Sequence, residues 1–461
     1  MKKEKYIYMF IGFVFMVLMG GCTKENNENE GNNESGGSGG NGWVTPESPT
    51  IVSIEEAVNS DGDVVLEVGY EDQSRMYFIL LDPETAAVTN HESFYGEGNN
   101  GYVYRGDVAI PSEITHLGET YTITVIGKKC FANAKLLKSV YIPNTVISIE
   151  DEAFSQSGIK EIIIPNSIES ESIGIKVFKD CHGLKTVDLP NSWKRIPNQT
   201  FSGCNSLSAM TFPDSLERIE IWAFSNCDGL SAICFPERLE RIDDLAFSDC
   251  DGLSAIYLPV KLKSIGDGAF DNCSRLAEIY YNARKCRCYG KYTWGGCSAL
   301  ETIVIGDLVD TIPRHAFQDL PTVTNVVFSE SLKFIGGSAF FGCSSLKSVI
   351  IPNSVRSIEG WFVNEEGYPS YRGAFQRCTS LSSVIIGNSV RFIGQNAFKG
   401  CSKLDTVICQ ATTPPDVGLM DSDYQNSFLS SPNVIYVPSQ SVDAYCRKAY
   451  WSVYSDIIEG F

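Results

Sequence analysis

The chain has 461 residues, 37 of them basic and 56 acidic, for a formal net charge of -19. That balance repels a phosphate backbone and argues against a nucleic-acid partner held through a basic surface. The length exceeds what one compact core organises, so two or three domains would be expected unless the chain is a repeat array.

At the start, Lys2, Lys3 and Lys5 precede an apolar stretch from Tyr6 to Met19. It is too short to span a bilayer comfortably and is built like the core of a signal peptide. Small residues then lead into a cysteine, Leu18-Met19-Gly20-Gly21-Cys22. This segment resembles a bacterial lipobox, which implies that residues 1–21 are removed and that Cys22 is lipidated; the alternative is an ordinary secretory signal in which Cys22 is incidental. The acidic run Thr23 to Glu28 is similar to the surface-export signal of some Gram-negative lipoproteins. The expected location is therefore the outer membrane, lipid-anchored and facing outward. No other apolar run is long enough to cross a bilayer, so the lipid is the expected membrane contact.

Residues 22–43 read as a flexible tether, because 26–42 are almost entirely Asn, Glu, Gly and Ser and cannot bury enough surface to offset ordering entropy. Residues 44–126 change to short alternating runs, such as Val64-Val65-Leu66-Glu67-Val68 and Tyr77-Phe78-Ile79-Leu80-Leu81, separated by Asp-Gly and Asp-Pro turns. They predict a β-rich N-terminal cap.

From 127 to 410 an aromatic residue returns about every 23 positions: Phe131, Phe154, Phe178, Phe201, Phe224, Phe247, Phe270, Trp294, Phe317, Phe340, Phe375 and Phe398. Nine of these twelve are followed three residues later by Cys. Such a period marks a solenoid, whose units bury their apolar faces on one another and need caps at both ends. In Leu230-Ser231-Ala232-Ile233-Cys234-Phe235-Pro236 the alternation predicts a short strand with Leu230, Ile233 and Phe235 inward, ended by a proline that has no N–H for the ladder. Leu239 and Ile242 follow, so each repeat reads as one short strand, a return segment and an aromatic wedge. The spacing lengthens to 35 residues before Phe375. Residues 411–461 predict a C-terminal cap, with a strand at 434–438 and a helix at 441–450 capped by Ser441.

Units such as Ile351-Pro352-Asn353-Ser354-Val355-Arg356-Ser357-Ile358 and Ile393-Gly394-Gln395-Asn396-Ala397-Phe398-Lys399-Gly400-Cys401 closely resemble the BspA-like leucine-rich repeat. The lead-in Tyr121 to Gly127 and the ending Tyr436 to Tyr445 with Trp451 resemble that family's caps. The resemblance implies a β-rich, right-handed leucine-rich-repeat solenoid of about twelve repeats, displayed on a microbial surface and, for some members, adhesive. It supplies no catalytic residues. Departures are Leu320 in a cysteine position, Trp294 in a phenylalanine position and the insert before Phe375.

Stacked rungs would align the repeat cysteines with parallel Cβ vectors, a poor match to disulfide geometry, so they predict packed thiols. The four histidines do not cluster at metal-ligand spacing, and no metal or cofactor is expected. Cys286-Arg287-Cys288, among Arg284, Lys285 and Lys291, suggests either a redox-active pair with a depressed thiol pKa or a variant connection with a solvated basic edge. Cys409 and Cys446 are close enough to the chain end to bridge the cap or to remain free.

Two features point to binding. Four residues after each repeat leucine or its equivalent stand Tyr141, Ile163, Asp188, Thr211, Cys234, Tyr257, Tyr280, Val304, Val327, Ile350, Ile385 and Ile408, outward by alternation yet largely apolar. Such a column either stacks for its own stability or forms a partner site. The 12-residue insert carries Trp361, Phe362, Tyr368, Tyr371 and Arg372, suited to a protein or glycan contact, or else folded back over the solenoid edge. The expected function is recognition or adhesion by a monomer, not catalysis, with an extracellular protein or glycan as partner. The alternatives are a glycan-binding accessory lipoprotein of a nutrient-uptake system and a structural spacer. The candidate ligand-binding residues are Tyr141, Tyr257, Tyr280, Trp361, Phe362, Tyr368, Tyr371 and Arg372.

Overall fold

The computed structural model describes residues 50–59, 61–71, 74–89, 104–284, 286–288, 292–360, 362–363, 369–370, 372–418 and 432–461. The lipobox and tether expected at 1–43 lie outside the described residues. Glu47–Phe461 form one compact unit.

Among the described residues, seven strands precede the repeats: β1 (Ile51–Val58), β2 (Val64–Tyr70), β3 (Arg75–Leu80), β4 (Thr85–Thr89), β5 (Gly106–Ala109), β6 (Glu113–His116) and β7 (Glu119–Ile126). Six of them form one sheet in the order β1-β2-β3-β4-β7-β6, antiparallel except for the β4–β7 pair. The other, β5, runs parallel to Leu137–Tyr141, with Val108 beside Val140 and Ala109 beside Tyr141. Meanwhile β7 pairs in parallel with Ser148–Ile149. Two cap strands thus supply the unpaired backbone edges on which the solenoid's two ladders begin.

Most coils contribute a strand to both ladders; residues 207–212 add none to the first, and Ile173 meets Ile149 of the second through a single bridge. The first contains segments such as Ala232–Cys234, Ala255–Leu258, Glu278–Tyr281 and Thr302–Ile305, paired in parallel and in exact repeat register. The second contains two-residue strands, Arg195–Ile196, Arg218–Ile219, Arg241–Ile242 and Ser264–Ile265 among them. The return segment expected from sequence is therefore itself a strand. Two residues show a single inward side chain, too few for alternation to reveal.

Inside, the aromatic anchors form one stack. Successive ring centroids from Phe131 to Trp294 lie 4.9 to 5.5 Å apart with planes within 19° of parallel. The larger Trp294 widens the next step to 6.5 Å and donates its indole N–H to the Ala316 carbonyl at 3.0 Å. Across the insert the stack continues, with Phe340 and Phe375 5.2 Å apart and 7° from parallel. The stacking of the anchors is therefore the same across the insert as along the rest of the solenoid.

The nine repeat cysteines are buried and free, as expected. They also make a bond that the packing argument did not foresee. Each donates its thiol hydrogen to the carbonyl of the anchor one rung earlier: Cys181 to Phe154 at 3.0 Å, Cys204 to Phe178 at 3.2 Å, Cys227 to Phe201 at 3.1 Å, and so on to Cys401 and Phe375 at 3.2 Å. Burial pushes the Cys181 thiol up to about 11 and the Cys343 thiol to about 12.

A left-handed residue stands two positions after every anchor, from Asn133 to Gly400, with φ between 56° and 78°. Its own N–H bonds to the following rung, as from Gly203 N to the Ser225 carbonyl at 2.8 Å, while the next N–H turns back to the anchor carbonyl of the same rung, as from Cys204 N to Phe201 at 3.1 Å, and the thiol reaches the preceding rung. Asn, Asp and Gly fill most of these places, as the conformation favours.

At the far end Val434–Val437 extends the first ladder and Ile458–Gly460 closes it. The helix there, α1, covers only Val442–Arg447, and Ser441 occupies its N-cap without a side-chain capping bond. The expected helix to Tyr450 stops early, since Lys448 is already extended and Tyr450 is left-handed. Buried Trp451 donates its indole N–H to the Pro415 carbonyl at 2.9 Å and covers the apolar end.

Candidate recognition surface

Every fully paired strand of the first ladder shows inward residues buried and outward ones not, as in Ala255–Leu258 and Thr302–Ile305. This alternation confirms the direction of the outward column. Tyr141, Tyr257, Tyr280, Val304, Val327, Ile385 and Ile408 are half-buried by their neighbours in the column, while Ile163 and Ile350 are exposed, the latter at 65%. Beside them, two residues earlier on each strand, stand mostly small or polar groups: Ala232, Ala255, Glu278, Thr302, Asn325, Ser348 and Ser383.

At the centre Tyr257 and Tyr280, opposite one another in the ladder, stack with centroids 4.4 Å apart and planes 11° from parallel. The Tyr280 hydroxyl donates to a Glu278 carboxylate oxygen at 2.8 Å. Partial burial raises both phenols above their ordinary range, and the Glu278 carboxylate adds to the effect at Tyr280. Both hydroxyls therefore stay protonated at neutral pH, one of them oriented by an anion. Two large rings fixed in this way present contact area at little further entropy cost. Tyr141 stands apart from this pair, at the cap end and beside Ala109 of β5.

Of the insert residues, Trp361, Tyr368 and Tyr371 lie outside the described residues. Phe362 enters a two-residue antiparallel pairing, Phe362–Val363 with Pro369–Ser370, so the insert includes a small hairpin. Arg372 is exposed and its guanidinium lies 4.6 Å from the centre of the Phe341 ring, with Arg377 5.5 Å from the same ring. The insert's final cation is thus engaged with the solenoid edge.

Cys286 is buried, 1% exposed, so that thiol is closed to solvent reagents, which disfavours a redox role for the Cys286–Cys288 pair. Cys409 and Cys446 are both free, and no bridge spans the cap. Instead Cys409 lies 3.1 Å from the Tyr445 hydroxyl, which donates to the Ala411 carbonyl at 2.7 Å. No helix among the described residues is long and apolar enough to cross a membrane.

The repeat region matches the family described as BspA type leucine rich repeat region, in six copies, over residues 111–205, 171–287, 284–366 and 370–417. Among solved structures, a leucine-rich repeat protein from Bacteroides ovatus is 26% identical, over 72% of this chain and 92% of its own, with a TM-score of 0.47. A leucine rich cell surface protein from Faecalibacterium prausnitzii is 25% identical over 72% and 93% of the two chains, with a TM-score of 0.40. The pneumococcal vaccine antigen PcpA is 16% identical over 86% and 96%, with a TM-score of 0.34. No curated protein matches the sequence.

Proposed function

Because the chain belongs to the BspA-type leucine-rich-repeat family, we propose that it is a lipid-anchored surface adhesin that holds a host or neighbouring-cell protein on the outward face of its first ladder. Proteins of this kind are generally surface proteins engaged in protein–protein interaction or adhesion, and are typically not enzymes. Cys22 is the anchor in this reading, and residues 22–43 hold the solenoid away from the lipid. One observation carries the choice of face: the Tyr257–Tyr280 stack, with its oriented hydroxyl, lies within a column of apolar side chains that the ladder cannot cover. Interface hot spots favour such fixed aromatic groups.

The test is surface plasmon resonance of the full mature chain against a panel of purified extracellular-matrix proteins. Tyr257→Ala with Tyr280→Ala is expected to weaken the strongest interaction by about 30-fold, the equivalent of ~2 kcal/mol, with unchanged thermal unfolding. Equal binding by the variant would reject this face and favour a spacer. Labelling with a fatty-acid analogue in cells, lost in Cys22→Ala, tests the anchor separately.

A further inference from the structure

The second ladder carries its charges in two columns, and they change character along the solenoid. Where Arg195, Arg218, Arg241 and Lys263 occur, each has a carboxylate: Arg195 with Glu220 at 3.1 Å, Arg218 and Arg241 with Asp243 at 2.6 and 3.4 Å, and Lys263 with Glu240 at 2.6 Å. Toward the C-terminal end this compensation stops. Lys333, Arg356 and Arg391 occupy one position on three successive rungs, tied by backbone bonds from Arg356 N to the Lys333 carbonyl (2.8 Å) and from Arg391 N to the Arg356 carbonyl (2.9 Å). All three side chains are exposed, and none has an ion-pair partner among the described residues.

Nearby carboxylates are committed elsewhere or stand off. Glu359 pairs with Arg314 at 3.3 Å and Asp416 with Lys448 at 2.6 Å. Asp310, one rung before Lys333, makes no ion pair with it. Like charges stacked on adjacent strands repel, so this arrangement costs stability in the unliganded protein. It is also unexpected by charge balance in a chain of net charge -19.

Next to the cations, the adjoining column reads Phe334, Ser357, Phe392 in direct register. The two rings are 37% and 39% exposed and stand on the rungs either side of Ser357, about 10 Å apart along the ladder. Cations at rung spacing, about 4.8 Å, beside exposed apolar rings would match an extended polymer that carries one negative charge per unit and an apolar face.

We propose that Lys333, Arg356 and Arg391, with Phe334 and Phe392, form a second binding strip, for an acidic glycan of the uronic-acid class. One carboxylate per sugar provides a charge spacing of the same order as the rungs. A nucleic-acid strand, charged at every phosphate and without an apolar face on its backbone, meets repulsion from the rest of this acidic chain with no apolar contact to offset it. The strip lies on a different ladder from Tyr257 and Tyr280, so the two sites are separable.

Isothermal titration of the full mature chain with a defined oligogalacturonate, a neutral malto-oligosaccharide of equal length and a single-stranded oligonucleotide tests this. Oligogalacturonate is expected to bind selectively and to weaken with added salt. Lys333→Gln/Arg356→Gln/Arg391→Gln is expected to lose at least about tenfold in affinity, while Arg195→Gln/Arg218→Gln, at the compensated end, and Tyr257→Ala/Tyr280→Ala retain it. Phe334→Ala/Phe392→Ala is expected to weaken the glycan while leaving any binding of inorganic polyphosphate unchanged. The proposal is overturned if wild type binds no oligogalacturonate, if the triple variant binds as well as wild type, if the ring variant leaves glycan affinity intact, or if the oligonucleotide binds as tightly.

Discussion

Replacing Cys227 by alanine asks what the cysteine column does. In the folded chain the Phe201 carbonyl accepts two hydrogens, one from the Cys204 backbone N–H and one from the Cys227 thiol, each at 3.1 Å. Alanine removes the second donor but leaves the carbonyl bonded, so the hydrogen-bond loss is small, ~0.5 kcal/mol. It also removes a sulfur that is fully buried. Lost transfer energy of about one methylene and a partly collapsed cavity add ~1 to 1.5 kcal/mol. The sum, about 1.5 to 2 kcal/mol, should accelerate amide exchange in the rungs around Phe201 and Phe224 by about 10- to 30-fold. Serine separates the two contributions, because it keeps a donor aimed at the same carbonyl while losing size. If the directed bond matters, Cys227→Ser is at least as stable as Cys227→Ala; if the thiol acts as an apolar filler alone, serine is the worse variant. Native-state hydrogen exchange by mass spectrometry is the right measurement, since a repeat array can open locally without unfolding throughout. Exchange within threefold of wild type in Cys227→Ala would refute the packing estimate itself.

Alkaline pH offers an independent reading of the same column. A folded-state thiol pKa of about 11 at Cys181 and about 12 at Cys343 lies above the ordinary value of 9.0. Stability is therefore fully present below pH 9 and falls as pH rises from 9 toward those folded values, by up to about 1.4 kcal/mol per pH unit per thiol. Urea titrations at pH 8 and pH 10.5 should show it, and an unchanged midpoint would contradict the burial argument. Native alkylation at pH 8 should modify half-exposed Cys446 and spare the nine column thiols, with peptide mass spectrometry as the readout. At Gly252 an added Cβ would run into the Asp228 carbonyl of the preceding rung. Gly252→Ala should therefore cost at least about 2 kcal/mol, visible as a lower melting temperature, whereas Gly62→Ala, with open space around it, should be affected only through its positive φ of 90°.

What could be read in the sequence follows from how many residues announced each feature. The anchors and thiols recur often enough that their inward direction and stacking were evident from spacing alone. The second ladder was missed because Arg241–Ile242 and its equivalents display one buried side chain apiece, and a single apolar residue has no period. Left-handed turns were legible in part. Two residues after the anchor, Asn226, Asp249 and Gly342 have the chemistry that conformation prefers, but two residues before it φ is also positive at Lys129, Glu152, Trp222 and Leu245. Nothing in those side chains favours that backbone, so rung-to-rung hydrogen bonds impose it, as between Leu245 N and the Asp267 carbonyl. The basic strip was hidden for another reason. Lys333, Arg356 and Arg391 are 23 and 35 residues apart, and only the ladder register reveals them as neighbours within an acidic whole.

The cap explains why this register is so well defined from the first coil. A parallel ladder has no hairpin to set its alignment, and a slip by one residue would turn every inward side chain outward. Here β5 fixes the first ladder at Leu137–Tyr141 and β7 fixes the second at Ser148–Ile149, before any repeat has a predecessor to copy. Tyr104 meets the first anchor ring, Phe131, at 4.5 Å and begins the aromatic stack from the cap side. Three inward features therefore start from cap residues, and each later coil inherits its alignment from the one before. Outward positions carry no such constraint. They can take a tyrosine pair on one ladder and a row of uncompensated cations on the other without changing the fold, which is why the most regular residues of the chain build the scaffold and the least regular ones distinguish its surfaces.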